Sequence, residues 1–212
     1  MSQGVPVRIL VVDDHPVVRS GLVSILDRQL GFEVVGEAAD GAVAVSEYLR
    51  LRPDVLLLDL RLPVLDGWQV LAKVREADPH ARVLAISTYG GDEDVHRALA
   101  AGARGYLLKE STEEEIVAAL EAVVRGGAKL SPGAAEAMAM RHQFEPLTAR
   151  EAEVLAGLAR GESNKEIAFR TGTAESTVKG HVANIMGKLG VDDRTAAVTV
   201  ALRRGLLHLP SR

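Results

Sequence analysis

The 212-residue chain has no cysteine, which excludes disulfides and thiolate metal sites. Long apolar runs are missing too. The N-terminal stretch 5–12 is too short to cross a bilayer, which takes about 20 residues, and Arg8 interrupts it. That stretch also lacks the basic start, long apolar core and small-residue cleavage site of a signal peptide. Internal repeats and low-complexity segments are absent as well. The expectation is a cytoplasmic protein with no membrane partner. What is present is ordinary: 47% hydrophobic and 25% charged residues suit a globular chain. The length allows one large domain or two modest ones.

Charge is unevenly spread. Residues 1–127 carry 13 Lys+Arg against 20 Asp+Glu, and residues 128–212 carry 12 against 9, so an acidic front end precedes a weakly basic tail end. Two jobs are implied, the second near a polyanion.

The hydrophobic pattern divides at the same place. Residues 7–12, 33–36, 55–58, 83–87 and 105–108 are short runs rich in Val, Leu and Ile. Without strict alternation, such runs suit strands buried on both faces. Helical patterns at about 16–29, 42–51, 67–77 and 93–101 lie between them. A fifth helix follows Thr112, which forms a capping box with Glu115 and places Ile116, Val117, Leu120, Val123 and Val124 on one face. Five β/α repeats predict an α/β domain, a doubly wound five-stranded parallel sheet of flavodoxin-like order, over 1–125.

From Gly126 the pattern changes. Gly126, Gly127, Ser131, Pro132 and Gly133 break it, and a linker over 126–146 is expected to hold a short Ala/Met-rich helix. Residues 147–212 then read as a small all-α domain. Thr148 with Glu151, and Ser163 with Glu166, are capping boxes, and Gly161, Gly172, Gly190 and Gly205 stop successive helices. Two short-linked helices around Gly172 are what a helix-turn-helix needs.

In an open parallel sheet, ligands bind where loops leave the carboxyl ends of the strands. Those ends carry Asp13 and Asp14, Asp59, Ser87 and Thr88, and Lys109. Any one acid there is commonly a cap or a solvated loop residue; the combination, in order, is not. Crowded carboxylates repel unless a cation relieves them, and a hard divalent ion such as Mg²⁺ accepts carboxylate oxygens. The ion also offsets the charge of an incoming phosphoryl group, leaving one carboxylate as nucleophile. Lysine and hydroxyl groups bind phosphate oxygens.

The motifs VVDDHPVVRSGL, PDVLLLDLRLPVLDGW, VLAISTY and ARGYLLKE resemble the receiver domain of two-component response regulators, over about residues 5–125. The resemblance implies Asp59 as phosphoacceptor, Asp13, Asp14 and Asp59 as Mg²⁺ ligands, Ser87 as switch hydroxyl and Lys109 as phosphate-sensing lysine. Tyr106 matches the aromatic switch position, although an ordinary strand aromatic explains it equally well. Pro63 and Gly67 match the loop after the phosphoacceptor. Glu110 stands where receivers usually have a proline that is often cis. A non-proline cis bond costs about 3–4 kcal/mol, so that peptide's geometry stays open. Arg61 and Tyr89, two residues beyond Asp59 and Ser87, match positions that tune how water reaches an acyl phosphate. An aspartate-nucleophile phosphatase would place a second Asp where Arg61 stands. A flavin binder would need a phosphate-cradling loop where Asp13 and Asp14 stand.

The stretch from Leu147 to Val198 resembles the LuxR-type helix-turn-helix, matching at Leu147, Thr148, Glu151, Val154, Leu155, Gly161, Asn164 to Ala168, Thr177 to Lys179, His181, Lys188 and Leu189. Joined to a receiver, it resembles the NarL/FixJ family over nearly the whole chain. The resemblance implies a transcription regulator, not an enzyme, with a histidine kinase and double-stranded DNA as partners. The DNA site is expected to be an inverted repeat bound by a homodimer. Val178, Val182, Ile185, Met186 and Leu189 form an apolar stripe on the recognition helix. Ser176, Thr177, Lys179, Gly180, Ala183 and Lys188 are the expected DNA-contacting positions, Lys188 toward phosphate, while His181 reads as structural. Thr171, Thr173 and Ala174 depart from the usual turn, Ala174 lacking a cap. Few groove-facing side chains are long and polar, so base readout is expected to be weak. Val198, Ala201 and Leu202 form a row on the last helix, suited either to pairing two domains or to packing within one.

Overall fold

The apolar runs form strands in the order they occur. The structure, a computed structural model, describes residues 5–141 and 144–208. Its elements are β1 (Val7–Val12), α1 (Pro16–Asp27), β2 (Phe32–Ala38), α2 (Gly41–Leu51), β3 (Val55–Asp59), α3 (Gly67–Ala77), β4 (Val83–Ser87), α4 (Asp92–Ala100), β5 (Gly105–Leu108) and α5 (Glu113–Val124). They continue with β6 (Lys129–Leu130), α6 (Pro132–Arg141), α7 (Ala149–Ala159), α8 (Asn164–Thr171), α9 (Glu175–Leu189) and α10 (Arg194–Arg203). The chain divides into two compact units, Met1–Thr88 with Val95–Ala135, and Tyr89–Asp94 with Glu136–Arg212.

The first unit is built on a parallel sheet of order β2-β1-β3-β4-β5-β6. Every residue of β3 and β4 is buried, which is why those runs are apolar throughout rather than alternating. On one face Ile9, Val11, Leu57, Ile86 and Leu107 meet Leu22 and Leu26 of α1 and Ile116, Leu120 and Val123 of α5. Each large apolar side chain enclosed this way contributes about 1.5–3 kcal/mol. Leu10, Leu56 and Leu58, one residue out of step, are equally buried on the opposite face.

The sheet has six strands where five were expected, and residues 126–146 carry β6 and all of α6. Gly105 and Tyr106 pair with Lys129 and Leu130. A Cβ at Gly105 would lie 2.4 Å from the Lys129 carbonyl oxygen, so this close approach needs a glycine there. Gly126, at φ +80, turns the chain back toward the sheet edge. A two-residue strand is too short to leave a periodic signal, so the pattern alone could not announce it.

In the second unit, Val154, Leu155, Leu158, Ile167, Val178, Ile185 and Leu189 of α7, α8 and α9 share one core with Ala197 and Ala201 of α10. All the capping boxes read from sequence form: Thr112 with Glu115, Thr148 with Glu151, and Ser163 with Glu166. A further one, Asp66 with Gln69, opens α3. Gly172 and Gly190 close α8 and α9 in the left-handed conformation, at φ +63 and +66. Ala174, at the α9 N-cap, makes no side-chain capping bond. Thr171 instead bonds back to the Ile167 carbonyl and meets the Thr173 hydroxyl at 3.3 Å.

The row Val198, Ala201 and Leu202 is largely spent inside the unit. Ala201 is fully buried in the core and Val198 packs against it, leaving Leu202 half-buried. No helix among the described residues is long and apolar enough to cross a membrane.

Candidate functional site

Because β1, β3, β4 and β5 run parallel and side by side, their carboxyl ends share one edge. Asp59 and Ser87 are the last residues of β3 and β4; Asp13 follows β1 and Lys109 follows β5. Asp13, Asp59 and Ser87 are all essentially inaccessible to solvent. Lys109 joins the strands: its Nζ lies 2.7 Å from Asp13 Oδ2 and 2.7 Å from Asp59 Oδ2. Its backbone amide donates to the Ser87 carbonyl at 2.8 Å. The Arg61 amide donates to Asp59 Oδ1 at 2.9 Å. The Lys109–Glu110 peptide is trans.

The loop after Asp59 is held tightly against it. A Cβ at Gly67 would lie 2.3 Å from the Asp59 carbonyl oxygen and 2.5 Å from Leu60 Cα, so only glycine lets α3 begin there. Three residues earlier, Val64 is exposed at φ +68. A β-branched residue there carries about 1–2 kcal/mol of backbone strain, in the loop between β3 and α3.

Burial pushes the Asp59 carboxyl above its usual pKa, outweighing the opposing pull of Lys109 and the Arg61 amide, while Asp13 pushes it further up. Burial also pulls the Lys109 ammonium down, but its bonds to Asp13 and Asp59 outweigh that and hold its pKa above the usual lysine value. Two buried acids therefore share one lysine cation, a set short of positive charge. One ligand atom from each of Asp13, Asp14, His15 and Asp59 lies within 4.8 Å of the others. Buried carboxylate oxygens short of positive charge fit a hard divalent cation.

Two residues of this edge were not singled out from sequence. His15 Nδ1 lies 2.6 Å from Asp14 Oδ1 and 3.4 Å from Asp13 Oδ1. Arg19, one turn later on α1, donates to the Asp13 carbonyl at 2.7 Å and to Glu37 at 3.1 Å, pinning the end of β1 to β2. Their spacing, at one and five residues beyond Asp14, is the signal that would have found them. Tyr106 is fully buried in β5 between Ala85 of β4 and Leu130 of β6. Tyr89, by contrast, is exposed.

On α9, Ser176, Thr177, Lys179, Gly180 and Ala183 are all exposed, opposite the buried Val178, Ile185 and Leu189. Lys179 pairs with Glu175 one turn back at 2.9 Å, a solvated contact that phosphate can compete for. A Cβ at Gly180 or Gly187 would meet nothing within 4 Å, so this face is open. Asn184 is exposed on it as well, a polar side chain that the helical spacing from Thr177 and Gly180 could have indicated. Lys188 behaves differently. Its ammonium turns into the unit, 2.9 Å from Glu151 Oε2 and 3.0 Å from the Pro146 carbonyl, and little of it is exposed. The packing of α9 on α7 brings it there. His181 is half-buried.

An α/β unit with a buried aspartate, flanking acids and a lysine on one strand edge, followed by a helix-turn-helix, defines a receiver coupled to a DNA-binding domain. The family model for the response regulator receiver domain matches residues 9–121. That for the luxR family of bacterial regulatory proteins matches residues 145–201. The response regulator protein VraR of Staphylococcus aureus is 38% identical over 207 residues, covering 95% of this chain and 99% of the relative. The crystal structure of response regulator ChrA, of a heme-sensing two-component system, is 39% identical with a TM-score of 0.57, covering 95% and 99% of the two chains. The receiver domain of the putative response regulator NarL from Mycobacterium tuberculosis is 46% identical with a TM-score of 0.56, covering 58% and 99%. An RcsB–DNA complex, at 23% identity and a TM-score of 0.74, shares the fold. The chain belongs to the NarL/FixJ-type response regulators: it is a DNA-binding transcription regulator of a two-component system.

Proposed function

We propose that a partner histidine kinase phosphorylates Asp59 in the cytoplasm, that Asp13, Asp14 and Asp59 hold Mg²⁺ for that step, and that the modified chain binds an inverted-repeat promoter site as a homodimer. The observation that carries this reading is the pair of buried acids, Asp13 and Asp59, bridged by Lys109 at 2.7 Å. Bound Mg²⁺ supplies positive charge that offsets both the carboxylates and the phosphoryl group. An Asp59 carboxylate oxygen attacks phosphorus in line, the P–N bond of the donor phosphohistidine breaks, and the departing imidazole keeps the electron pair and takes up a proton. Lys109 exchanges Asp59 for a phosphoryl oxygen, and the Ser87 hydroxyl donates to another. Ser87 and Lys109 are already linked through their backbones. Movement of one is therefore felt by the other, and by the strand that carries Tyr106. The phosphoryl group adds about −1.5 to −2 charge in a buried setting, enough to bias a two-state element.

In this reading the receiver spans 1–125, the linker 126–146 and the DNA-binding domain 147–212. Ser176, Thr177, Lys179, Gly180 and Ala183 face DNA, and Lys188, held by Glu151, steadies α9 rather than reaching phosphate in this conformation. With so few long polar side chains, specificity rests on phosphate contacts, DNA shape and dimer geometry. The test selects DNA from a random pool with and without a small acyl-phosphate donor and Mg²⁺, and sizes the protein in both states. Donor-dependent dimerisation and a paired half-site are expected; equal affinity and size in both states would show a constitutive binder instead. Affinity is also expected to fall steeply with salt and only modestly with single base changes.

The side chains at the water-access positions lead to a second expectation. Arg61 and Tyr89 are both bulky, and Arg61 also contributes the amide that holds Asp59 Oδ1. Arg61→Ala and Tyr89→Ala are each expected to shorten the phosphoryl lifetime severalfold, read as loss of label after the donor is removed. Unchanged lifetimes would remove water exclusion from their role.

A further inference from the structure

His15 is the residue of the acidic edge that a pure oxygen site for Mg²⁺ does not use. It sits at the N-cap of α1, where it makes no side-chain capping bond. Its amide instead donates to Asp13 Oδ1 at 2.8 Å, which holds the residue folded back over the end of β1. That leaves its ring nitrogen against the acids: Nδ1 is 2.6 Å from Asp14 Oδ1 and 3.4 Å from Asp13 Oδ1. Neighbouring ligands on a six-coordinate ion with bonds near 2.1 Å sit about 3 Å apart. Both separations lie within about 0.4 Å of that edge length, so Nδ1 is near enough to each of these carboxylate oxygens to be an adjacent ligand of one cation. Lys109 approaches other atoms, Asp13 Oδ2 and Asp59 Oδ2, and leaves this side of the pocket clear.

We propose that His15 Nδ1 makes the acidic pocket a mixed nitrogen–oxygen site, selecting borderline divalent cations of the Zn²⁺ class far more strongly over Mg²⁺ than carboxylates alone would. The inference rests on the reading of this pocket as a divalent-cation site. The chemistry is that of donor type. Mg²⁺ demands oxygen ligands and sheds water reluctantly, gaining little from an imidazole. Zn²⁺ and its neighbours bind imidazole readily. His15 therefore adds affinity for one class of ion and leaves the other nearly unchanged, so the ion in the pocket depends on which metals surround the protein. His15 side-chain exposure of 63% lets it turn toward or away from the ion without disturbing the core.

The test uses the full chain and no phosphodonor. Mn²⁺ binding is followed by its paramagnetic resonance signal, and the bound ion is then displaced by Mg²⁺ or Zn²⁺ in the wild type, His15→Ala and His15→Gln. Counting only Zn²⁺ that displaces Mn²⁺ keeps other histidines out of the measurement. Both variants are expected to need about 10- to 100-fold more Zn²⁺ for displacement, the scale of loss when ligand support is removed, while the Mg²⁺ requirement changes less than about twofold. Nitrogen coupling to bound Mn²⁺ is expected in the wild type and absent in both variants. An unchanged Zn²⁺-to-Mg²⁺ ratio without nitrogen coupling would overturn the role of His15 while leaving the acidic pocket intact. No Mn²⁺ binding by any of the three proteins would overturn the pocket itself, and this inference with it. Native Trp68 fluorescence, from the only tryptophan, shows that each variant is folded.

Discussion

Asp59→Asn is expected to reduce labelling by a phosphodonor to background while leaving the receiver folded and at least as stable in the absence of metal. The nucleophile is lost because an amide oxygen does not displace a phosphoryl donor. The fold persists because asparagine is nearly isosteric, its one amide oxygen can accept from either the Arg61 amide or Lys109, and Lys109 keeps its second partner in Asp13. Removing a fully buried carboxylate that is pushed above its usual pKa by burial relieves a desolvation cost, so a gain of about 1 kcal/mol is expected. Autoradiography or a phosphate-affinity gel reads the first effect, and thermal unfolding followed through Trp68 reads the second. Residual labelling at wild-type level would move the phosphoacceptor elsewhere. A collapse of stability would instead make Asp59 a structural acid. Donor-induced dimerisation and tighter DNA binding are expected to vanish with the label.

Glu151→Ala is expected to destabilise the DNA-binding domain by about 1–2 kcal/mol, because it removes one side of a capping box and takes from Lys188 the nearer of its two carboxylate partners, Glu145 remaining at 3.3 Å. Glu151 is only 3% exposed. Its Oε2 accepts from the Thr148 amide at 2.8 Å and from Lys188 Nζ at 2.9 Å. Burial pushes the Glu151 carboxyl up, but Lys188 and Thr148 outweigh it, holding its pKa below the ordinary 4.5. The bond to Glu151 raises the Lys188 ammonium above its ordinary 10.5, against a smaller opposing effect of burial. Lowered in the folded state, the Glu151 pKa gives stability that is present above pH 4.5 and lost as pH falls through the folded value. Raised in the folded state, the Lys188 pKa gives stability that is present below pH 10.5 and lost as pH rises through the folded value. The pair therefore contributes fully between those limits, and Glu151→Gln removes the acid-side dependence while keeping a capping side chain. Far-UV circular dichroism across pH 3–7 follows the helices, and Trp68, which lies in the first unit, reports the receiver separately. Equal acid sensitivity in wild type and Glu151→Gln would take this pair out of the account.

Read alone, the sequence located five of the six strands and three of the capping boxes, because each depends on neighbours a few positions away. Buried strands show as unbroken apolar runs such as 55–58, and Thr148 with Glu151 or Ser163 with Glu166 are local contacts within a single turn. The parallel order also followed, since β/α repeats leave few alternatives. Contacts between distant residues were settled by packing. Lys109 lies between Asp13 and Asp59, 50 residues from the latter, because adjacent strands bring their ends together. β6 joined the sheet through a close approach at Gly105 that no periodicity records. Lys188, expected at phosphate, turned toward Glu151, 37 residues away, and Ala201, in a row suited either to pairing or to internal packing, went into the core.

The acidic edge therefore began as a list of residue types in order. Tertiary structure decided that one lysine serves two buried acids. The physical reason is range. Capping and periodicity act within a turn or two of chain, whereas charge pairing and close packing act only through space, between groups that the finished fold has placed.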